Sequence, residues 1–258
     1  MMPLRPATTL WPPVLLGSQF VFNIGFYAVV PYLAIFLRDD MLLSGGLIGP
    51  ILGLRTFSQQ GMCIVGGALS DRFSAKIIIL CGSVIRVGGY LLLAFGHALW
   101  PIILGACLTG IGGALFSPSI EALLARAGTH SETKGQRSRA EWFALFAVCG
   151  ELGAVLGPVV GALLTGLGFR QVALAGAGVF VVALIVLYFC LPAAQHSKQA
   201  LNIVPWWSTF RQPRFVAFII AYSSWLLSYN QLYLALPVEI QRAGGNEKDL
   251  GPLFMLAS

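Results

Sequence analysis

The stretch from residue 67 to residue 76 reads GALSDRFSAK and separates two long apolar runs, residues 47–69 and 77–95. A helix needs about 20 mostly apolar residues to cross the hydrocarbon core of a bilayer, and both runs reach roughly that length. The short connection between them carries the charges of Asp71, Arg72 and Lys76. The stretch therefore predicts a helical hairpin that crosses a membrane twice and turns at a basic loop.

The composition extends this interpretation to the whole chain. Of its 258 residues, 57% are hydrophobic and only 10% are charged, and the mean hydropathy is +0.81. Soluble domains carry about 25% charged residues, so this chain has too little polar surface to cover a globule in water. An eighth apolar run begins at Leu250 and stops at Ser258, which is too short to cross a bilayer. The complete predicted spans are residues 14–37, 47–69, 77–95, 100–125, 142–167, 172–191 and 215–238.

The basic residues favour one side of the membrane. With a cytoplasmic N-terminus, ten Lys and Arg residues lie in inside loops and four lie in outside loops. This asymmetry follows the positive-inside rule and predicts a multi-pass protein of the bacterial inner membrane with its N-terminus in the cytoplasm. The net charge of +6 then reflects topology and requires no nucleic-acid partner. The inside residues are Arg5, Arg72, Lys76, Arg126, Lys134, Arg137, Arg139, Lys198, Arg211 and Arg214, and the outside residues are Arg38, Arg170, Arg242 and Lys248.

A polar segment divides the spans into two groups. The first six spans follow one another with short connections, and residues 192–214 then form a polar linker. We predict an N-terminal six-helix bundle over residues 1–191, a cytoplasmic linker over residues 192–214 and the start of a C-terminal bundle over residues 215–258. In this interpretation the chain is truncated within its eighth helix, and the missing C-terminal bundle is required for function.

The stretch 67–76 also resembles the loop signature of the major facilitator superfamily, G-x-L-[small]-D-R-x-G-[RK]-[RK], at the place where that family has it. The resemblance implies an all-α membrane protein with the major facilitator superfamily fold. It also implies that the loop gates the protein by holding two bundles together in one state. The alternative is an ordinary basic loop with one compensating acid. The matching positions are Gly67, Leu69, Asp71, Arg72 and Lys76, whereas Ser74 and Ala75 depart from the pattern.

A second signature lies in the fifth span. Gly153, Gly157, Pro158 and Gly161 are similar to the antiporter motif G-x-x-x-G-P-x-x-G-G of the same superfamily, with Ala162 in the last position. Glycines four residues apart make a smooth helix face against which a neighbour packs closely, and proline bends the helix. The resemblance implies an exporter that exchanges its substrate for protons.

A third string extends the likeness over nearly the whole chain. Residues 53–61, GLRTFSQQG, resemble bacterial multidrug resistance proteins of this superfamily. Many drug exporters of the family carry an arginine in the fourth span, but residues 106–110 of this chain contain none. A coupling role for that arginine is therefore not implied here.

Three charged residues lie near the middle of their predicted spans: Arg55, Arg86 and Glu151. Charges at this depth are costly and call for a partner or a function. Glu151 is the only acid among them and is our candidate proton carrier, because a partly desolvated carboxyl can exchange protons near neutral pH. The alternative is a structural ion pair with Arg55 or Arg86. Arg55 and Gln59 lie one turn apart, which fits either a structural contact or an anionic substrate.

Polar and aromatic side chains mark candidate walls of a substrate cavity. Gln19, Asn23 and Tyr27 recur every four residues and share one face of the first span. Trp225 and Tyr229 lie deep in the seventh span. The resemblance implies that both spans line the central cavity, and a lining of aromatic rings and neutral amides suits amphipathic molecules.

Together these patterns predict proton-coupled efflux of amphipathic, drug-like molecules by alternating access. The expected partners are a small-molecule substrate, protons and the lipid bilayer, with no cofactor and no metal. The nearest alternative is a transporter of a specific metabolite, such as a sugar, a peptide or a siderophore. A seven-helix receptor would leave the loop signature unexplained. An enzyme is not predicted, because no His, Cys or Ser lies in a recognisable catalytic arrangement.

Overall fold

The structure is a computed structural model that describes residues 11–133, 135–191 and 211–242; for Trp11, residues 229–238 and Gln241 it describes the backbone alone. The predicted all-α fold is confirmed, since the described residues form helices joined by short turns. Five of these helices, α1 and α4 to α7, are long and apolar enough to cross a membrane. The helices are α1 (Trp11–Asp39), α2 (Gly45–Gln60), α3 (Cys63–Arg72), α4 (Ala75–Phe95), α5 (Leu99–Thr133), α6 (Arg139–Thr165), α7 (Phe169–Cys190) and α8 (Pro213–Arg242).

The second predicted span differs from the prediction, because it consists of two helices, α2 and α3. The interruption falls at Gly61 and Met62, where glycine is a weak helix former. Both residues keep right-handed backbone angles, with φ −66° and ψ −33° at Gly61 and φ −85° and ψ −5° at Met62. The hydrogen bond from the Gly66 N–H to the Met62 carbonyl, at 2.8 Å, then starts the next helix. The residue pair is thus a local irregularity along one membrane crossing.

The helices pack in a pattern that has an internal symmetry. The α4 helix lies against α5 and α7, α1 lies against α6 and α7, and α5 also contacts α2 and α3. Exchanging α1 with α5, the α2–α3 pair with α6, and α4 with α7 converts this set of contacts into itself. A unit of three spans ends on the side opposite to its start, so the second unit is inverted relative to the first. Inverted repeats of this kind are typical of secondary transporters.

The outside of the bundle carries large apolar side chains. Phe57, Leu163 and Phe189, on three different helices, are all largely exposed. In water, apolar patches of this extent mark interfaces or aggregation sites, whereas in lipid they face a solvent of matching polarity. The exposed surface therefore fits a bilayer.

An aromatic cluster joins four helices at the centre of the bundle. The ring of Phe22 on α1 stacks on Phe116 of α5, with centroids 4.0 Å apart, and meets Phe180 of α7 edge to face at 5.0 Å. Tyr90 of α4 stacks on Phe180 at 5.3 Å. These rings form the core that surrounds one of the intramembrane arginines.

The structure describes only some of the other residues at which a span or the linker was predicted to begin or end. The α5 helix continues to Thr133, beyond the predicted end of the fourth span at residue 125. Residues 192–210 of the linker and the incomplete eighth run lie outside the described residues. The division into two bundles and a linker therefore stays a prediction.

Candidate functional site

The glycine stripe of the antiporter motif packs against α1. Gly153, Gly157 and Gly161 are all buried. A Cβ atom placed at Gly153 would lie 2.6 Å from the Phe20 carbonyl oxygen, and one at Gly157 would lie 2.6 Å from the Cβ of Tyr27. These distances are far inside van der Waals contact, so the two helices approach backbone to backbone along the seam. The close packing expected of the stripe is present, and its partner is the first span.

Hydrogen bonds cross the same seam. The Asn23 amide donates to the Gly150 carbonyl oxygen at 3.1 Å. The buried Tyr32 hydroxyl donates to the Pro158 carbonyl oxygen at 2.7 Å. Because proline lacks an N–H and bends a helix, polar contacts near Pro158 help to hold the backbone of α6 where its own ladder is weakened.

The polar stripe of α1 lies along this seam. Gln19, Asn23 and Tyr27 are all half-buried. A Cβ atom at Gly150 would lie 3.0 Å from the Asn23 amide nitrogen and 3.3 Å from that of Gln19. The stripe therefore faces the glycines of α6 and leaves only part of its surface free. Two patterns that lie more than 120 residues apart in the chain meet here.

The two intramembrane arginines lie together beside Phe26 of α1. Arg55 and Arg86 are both buried, and both guanidinium groups contact the ring of Phe26, with Cζ-to-centroid distances of 4.5 Å and 5.1 Å. Arg55 donates from Nη2 to the Gln59 side-chain oxygen at 2.9 Å. The predicted Arg55–Gln59 contact is therefore present, and it forms part of a cluster with a second cation.

Arg86 is completely buried among aromatic rings. Its Cζ lies 4.0 Å from the ring centre of Phe22 and 4.8 Å from that of Phe180. The Tyr90 hydroxyl is nearby. In the described part of the chain, none of the three Arg86 side-chain nitrogens has a hydrogen-bond partner. Cation–π contacts of this kind are worth about 2 kcal/mol or more each when desolvated, so they offset part of the cost of burying the charge.

Glu151 lies apart from both arginines. Its side chain is exposed on α6, on a different face from the buried Gly150 and Gly153. The two ion pairs among the described residues join Arg38 to Asp39 and Arg242 to Glu239, and neither includes Glu151. The structural pair with Arg55 or Arg86 that we considered as an alternative is therefore not formed here.

Lys76, the last residue of the loop signature, joins two helix ends. Its ammonium group donates to the Leu191 carbonyl oxygen at 2.7 Å and lies 5.5 Å from the ring centre of Tyr188. Leu191 caps the C-terminus of α7, where free carbonyl groups and the helix dipole both favour a cation. The lysine thus ties the start of α4 to the end of α7.

Replacing Lys76 with methionine is expected to destabilise the bundle by about 1–2 kcal/mol, because a charged hydrogen bond and a favourable dipole contact are lost. The shift would be read from thermal unfolding of the purified chain in detergent. Arg126→Met serves as the control, since Arg126 is an exposed cation on α5. Equal melting temperatures for the two variants would show that the Lys76 contact contributes nothing.

The other residues of the loop signature make few close contacts. A Cβ atom at Gly67 would lie 4.0 Å from the Cβ of Pro118, an ordinary contact, so the helices do not approach closely at Gly67. The close approach occurs one residue earlier, because a Cβ at Gly66 would overlap the Ala114 carbonyl group of α5. Asp71 and Arg72 are exposed and take part in neither ion pair of the described residues. Their gating role stays a prediction.

Three aromatic rings lie near one another on α8, the helix of the seventh span. Phe218 stacks on Tyr222 with centroids 6.0 Å apart, and Tyr222 lies 5.5 Å from Trp225. Trp225 is exposed. The side chain of Tyr229 lies outside the described residues. These rings form one aromatic strip whose role in a cavity stays a prediction.

Two contacts were not expected from the sequence. Glu141, which reads as a solvated charge at a helix end, forms a capping box with Ser138 at the start of α6, and the Ser-x-x-Glu spacing could have indicated it. The α4 and α5 helices also meet through glycines, with Gly82 facing Gly112 and Gly89 facing Gly105. The spacing of seven residues within each helix is the signal that was missed.

Comparison with known proteins agrees with the family that the sequence signatures indicate. The family model described as Major Facilitator Superfamily matches residues 15–258. The MFS-type transporter Rv0849 of Mycobacterium tuberculosis is 38% identical over 229 residues, covering 88% of this chain and 53% of the relative. The multidrug resistance protein MdtH of Klebsiella pneumoniae (strain 342) is 31% identical over 246 residues, covering 93% of this chain and 58% of the relative. The chain thus spans about half the length of the curated relatives it matches.

Solved structures agree in fold. A POT family transporter in complex with 5-aminolevulinic acid has a TM-score of 0.65 at 17% identity, covering 87% of this chain and 47% of that structure. A bacterial homologue of the human drug peptide transporters PepT1 and PepT2 has a TM-score of 0.64 at 13% identity, covering 95% and 52%. At these identities the likeness shows the fold alone. The chain is a multi-pass integral membrane protein and belongs to the major facilitator superfamily of transporters.

Proposed function

We propose that this chain forms the N-terminal bundle of a secondary active transporter that exports amphipathic, drug-like molecules in exchange for protons. The bundle would lie in the bacterial inner membrane with its N-terminus in the cytoplasm, and it would rock against a C-terminal bundle around a site near the middle of the membrane. The observation that carries the proposal is the α1–α6 seam, in which Gly153 and Gly157 of the antiporter motif pack on the polar stripe of α1 and the Pro158 carbonyl accepts from Tyr32. The relatives named multidrug resistance protein MdtH support it.

The seam gives this mechanism a physical basis. Helices that meet backbone to backbone move as one rigid body, because no flexible side chains lie between them to absorb the motion. Asn23 and Tyr27 would then travel with α6 and meet substrate on their free surface. Glu151 is exposed and takes part in no ion pair of the described residues, so its carboxyl is accessible, as the proposed role of proton carrier requires.

Glu151→Gln is the direct test. We expect the variant to export dye at no more than the rate left after an uncoupler collapses the proton gradient, because glutamine cannot carry a proton. Efflux would be measured in cells that lack their own pumps and produce the chain together with the part of Klebsiella pneumoniae MdtH that the chain does not cover.

The matched control is Glu132→Gln, an exposed acid at the end of α5. It should retain full efflux. Gradient-dependent efflux at the unsubstituted rate by Glu151→Gln would contradict the coupling role. Efflux that an uncoupler leaves unchanged would contradict proton exchange, and absence of efflux from the complemented chain would contradict export.

A second candidate is transport of a specific metabolite. The cluster of Arg55 and Arg86 favours it, because two buried cations that form no ion pair with an acid of the described residues suit a defined anionic group better than a broad range of amphiphiles. Concentrative uptake of a carboxylate-bearing metabolite, rather than dye efflux, would distinguish this function.

A further inference from the structure

The two arginines at the centre of the bundle carry a charge that the described residues do not balance. Arg55 and Arg86 are both buried, and no ion pair in the described part of the chain includes either. A guanidinium group cannot lose its proton in a protein, so both residues remain cationic. An uncompensated buried cation costs several kcal/mol, and here two of them share one aromatic ring.

The aromatic rings relieve only part of this cost. Phe22 and Phe180 flank the Arg86 guanidinium, and their π faces attract a cation. The face of an aromatic ring attracts a cation only weakly, and the ring carries no net negative charge that could balance the guanidinium group. Among the described residues the side-chain nitrogens of Arg86 make no well-aligned hydrogen bond, and the buried Tyr90 hydroxyl beside them offers only one poorly aligned oxygen. The cluster is therefore rich in donors and poor in acceptors.

A glycine lets these donors pack closely against α5. A Cβ atom at Gly113 of α5 would lie 3.2 Å from Nη1 of Arg86 and 3.2 Å from the amide carbon of Gln59. Arg86 and Gln59 therefore meet over a position that has no side chain. Gln59 already accepts from Arg55 through its oxygen, which leaves its own amide N–H groups as further donors.

We propose that Arg55 and Arg86, with Gln59 and Tyr90, form a buried binding site for an anionic group, a carboxylate or a similar oxyanion. Planar guanidinium groups bind such oxygens through paired charged hydrogen bonds, and the neighbouring rings suit an aromatic or apolar body attached to the anion. The anion is either a free inorganic ion or the charged end of an organic molecule. If the anion is the charged end of an organic molecule, the site extends the transport function proposed above. Only the identification of that molecule as a transported substrate then rests on the proposed function.

The test measures binding to the chain itself in lipid nanodiscs and does not depend on transport. Sodium benzoate, neutral benzamide and sodium sulfate would each be titrated while thermal unfolding is followed by tryptophan fluorescence. A ligand that binds only the folded state raises the melting temperature in a saturable manner. We expect benzoate to do so and benzamide not to. Sulfate with the same effect would identify the ligand as a free inorganic anion, and sulfate without effect would identify an organic anion.

Substitutions then assign the effect to the cluster. Arg86→Met and Arg55→Gln are each expected to weaken benzoate binding at least 10-fold, whereas the exposed control Arg126→Gln should bind as the unsubstituted chain does. Arg86→Met should also leave the melting temperature of the ligand-free chain unchanged or raised, because an apolar side chain replaces an unbalanced charge. A purely structural arginine would give the opposite result, with a lower melting temperature.

Gly113→Ala tests the anion site independently if an arginine variant fails to fold. It retains both charges but adds a methyl group 3.2 Å from Arg86 and from Gln59, so both donors must move from their positions. We expect it to weaken benzoate binding at least 10-fold. Equal binding of benzoate and benzamide, or benzoate binding that survives in both Gly113→Ala and Arg55→Gln, would overturn the proposal. Loss of dye efflux with benzoate binding intact would contradict only the transport function.

Discussion

Replacing Gly157 with leucine is expected to separate α1 from α6 and to destabilise the bundle by about 3 kcal/mol or more. The new Cβ would lie 2.6 Å from the Cβ of Tyr27 and 3.0 Å from the Ile24 carbonyl oxygen. Neither atom can rotate away, because one is fixed to the backbone and the other belongs to it. The helices would have to move apart, which would also break the hydrogen bond between Asn23 and the Gly150 carbonyl.

Thermal unfolding of the purified chain in detergent would measure this loss. The control is Gly17→Leu on α1, where a Cβ atom meets nothing within 4 Å. Leucine forms helix more readily than glycine, so the control should be unaffected or slightly more stable. If Gly157→Leu unfolded at the same temperature as this control, the backbone contact between α1 and α6 would not exist in the folded protein.

The seam shows what sequence patterns can and cannot predict here. Glycines four residues apart assign a packing face to α6, and Gln19, Asn23 and Tyr27 assign a polar face to α1. Neither pattern names its partner, because helical periodicity describes one helix at a time. The partner follows from the order in which whole helices pack, and that order is set by the sum of many small contacts.

The intramembrane charges show a second limit. Their position in apolar spans correctly predicted that Arg55 and Arg86 are buried. The rule that a buried charge needs a partner suggested Glu151 as the ion-pair partner of these arginines. However, the Glu151 side chain is exposed on α6 and forms no ion pair with them. Aromatic residues such as Phe22 and Phe180 surround Arg86 instead. Phenylalanine is common in every apolar span, so its presence carries no signal that a cation will stack on it.

The loop signature was informative about position more than about contacts. Its charges flank the turn between α3 and α4, as the hairpin prediction requires, because Asp71 and Arg72 end α3 and Lys76 lies in the first turn of α4. The contact made by Lys76 with the end of α7 depends on a helix more than 100 residues later, which local sequence cannot specify. The close approach falls at Gly66 rather than Gly67 because the rotation of α3 about its axis decides which glycine faces α5, and the sequence of α3 alone does not fix that rotation.

The contact between α4 and α5 leads to the other large expected effect, in Gly112→Leu. A Cβ atom at Gly112 would lie 2.6 Å from the Gly82 carbonyl oxygen and 2.7 Å from the Cβ of Arg86. We expect a loss of about 3 kcal/mol or more, because α4 must move away as a whole. That movement would also shift Arg86 out of its aromatic surroundings, so the variant should lose benzoate binding together with stability.

Gly88→Leu on α4 is the matched control, since a Cβ atom at Gly88 meets nothing within 4 Å. It should retain both the melting temperature and benzoate binding. A Gly112→Leu chain that kept its stability would contradict the close packing of α4 on α5. A chain that lost stability but bound benzoate with unchanged affinity would instead separate the two effects, because Arg86 would then hold the anion without the precise position of α4. The pair of variants thus connects the packing of the bundle to the chemistry at its centre: backbone contact between two glycine-bearing helices sets where the buried guanidinium groups lie.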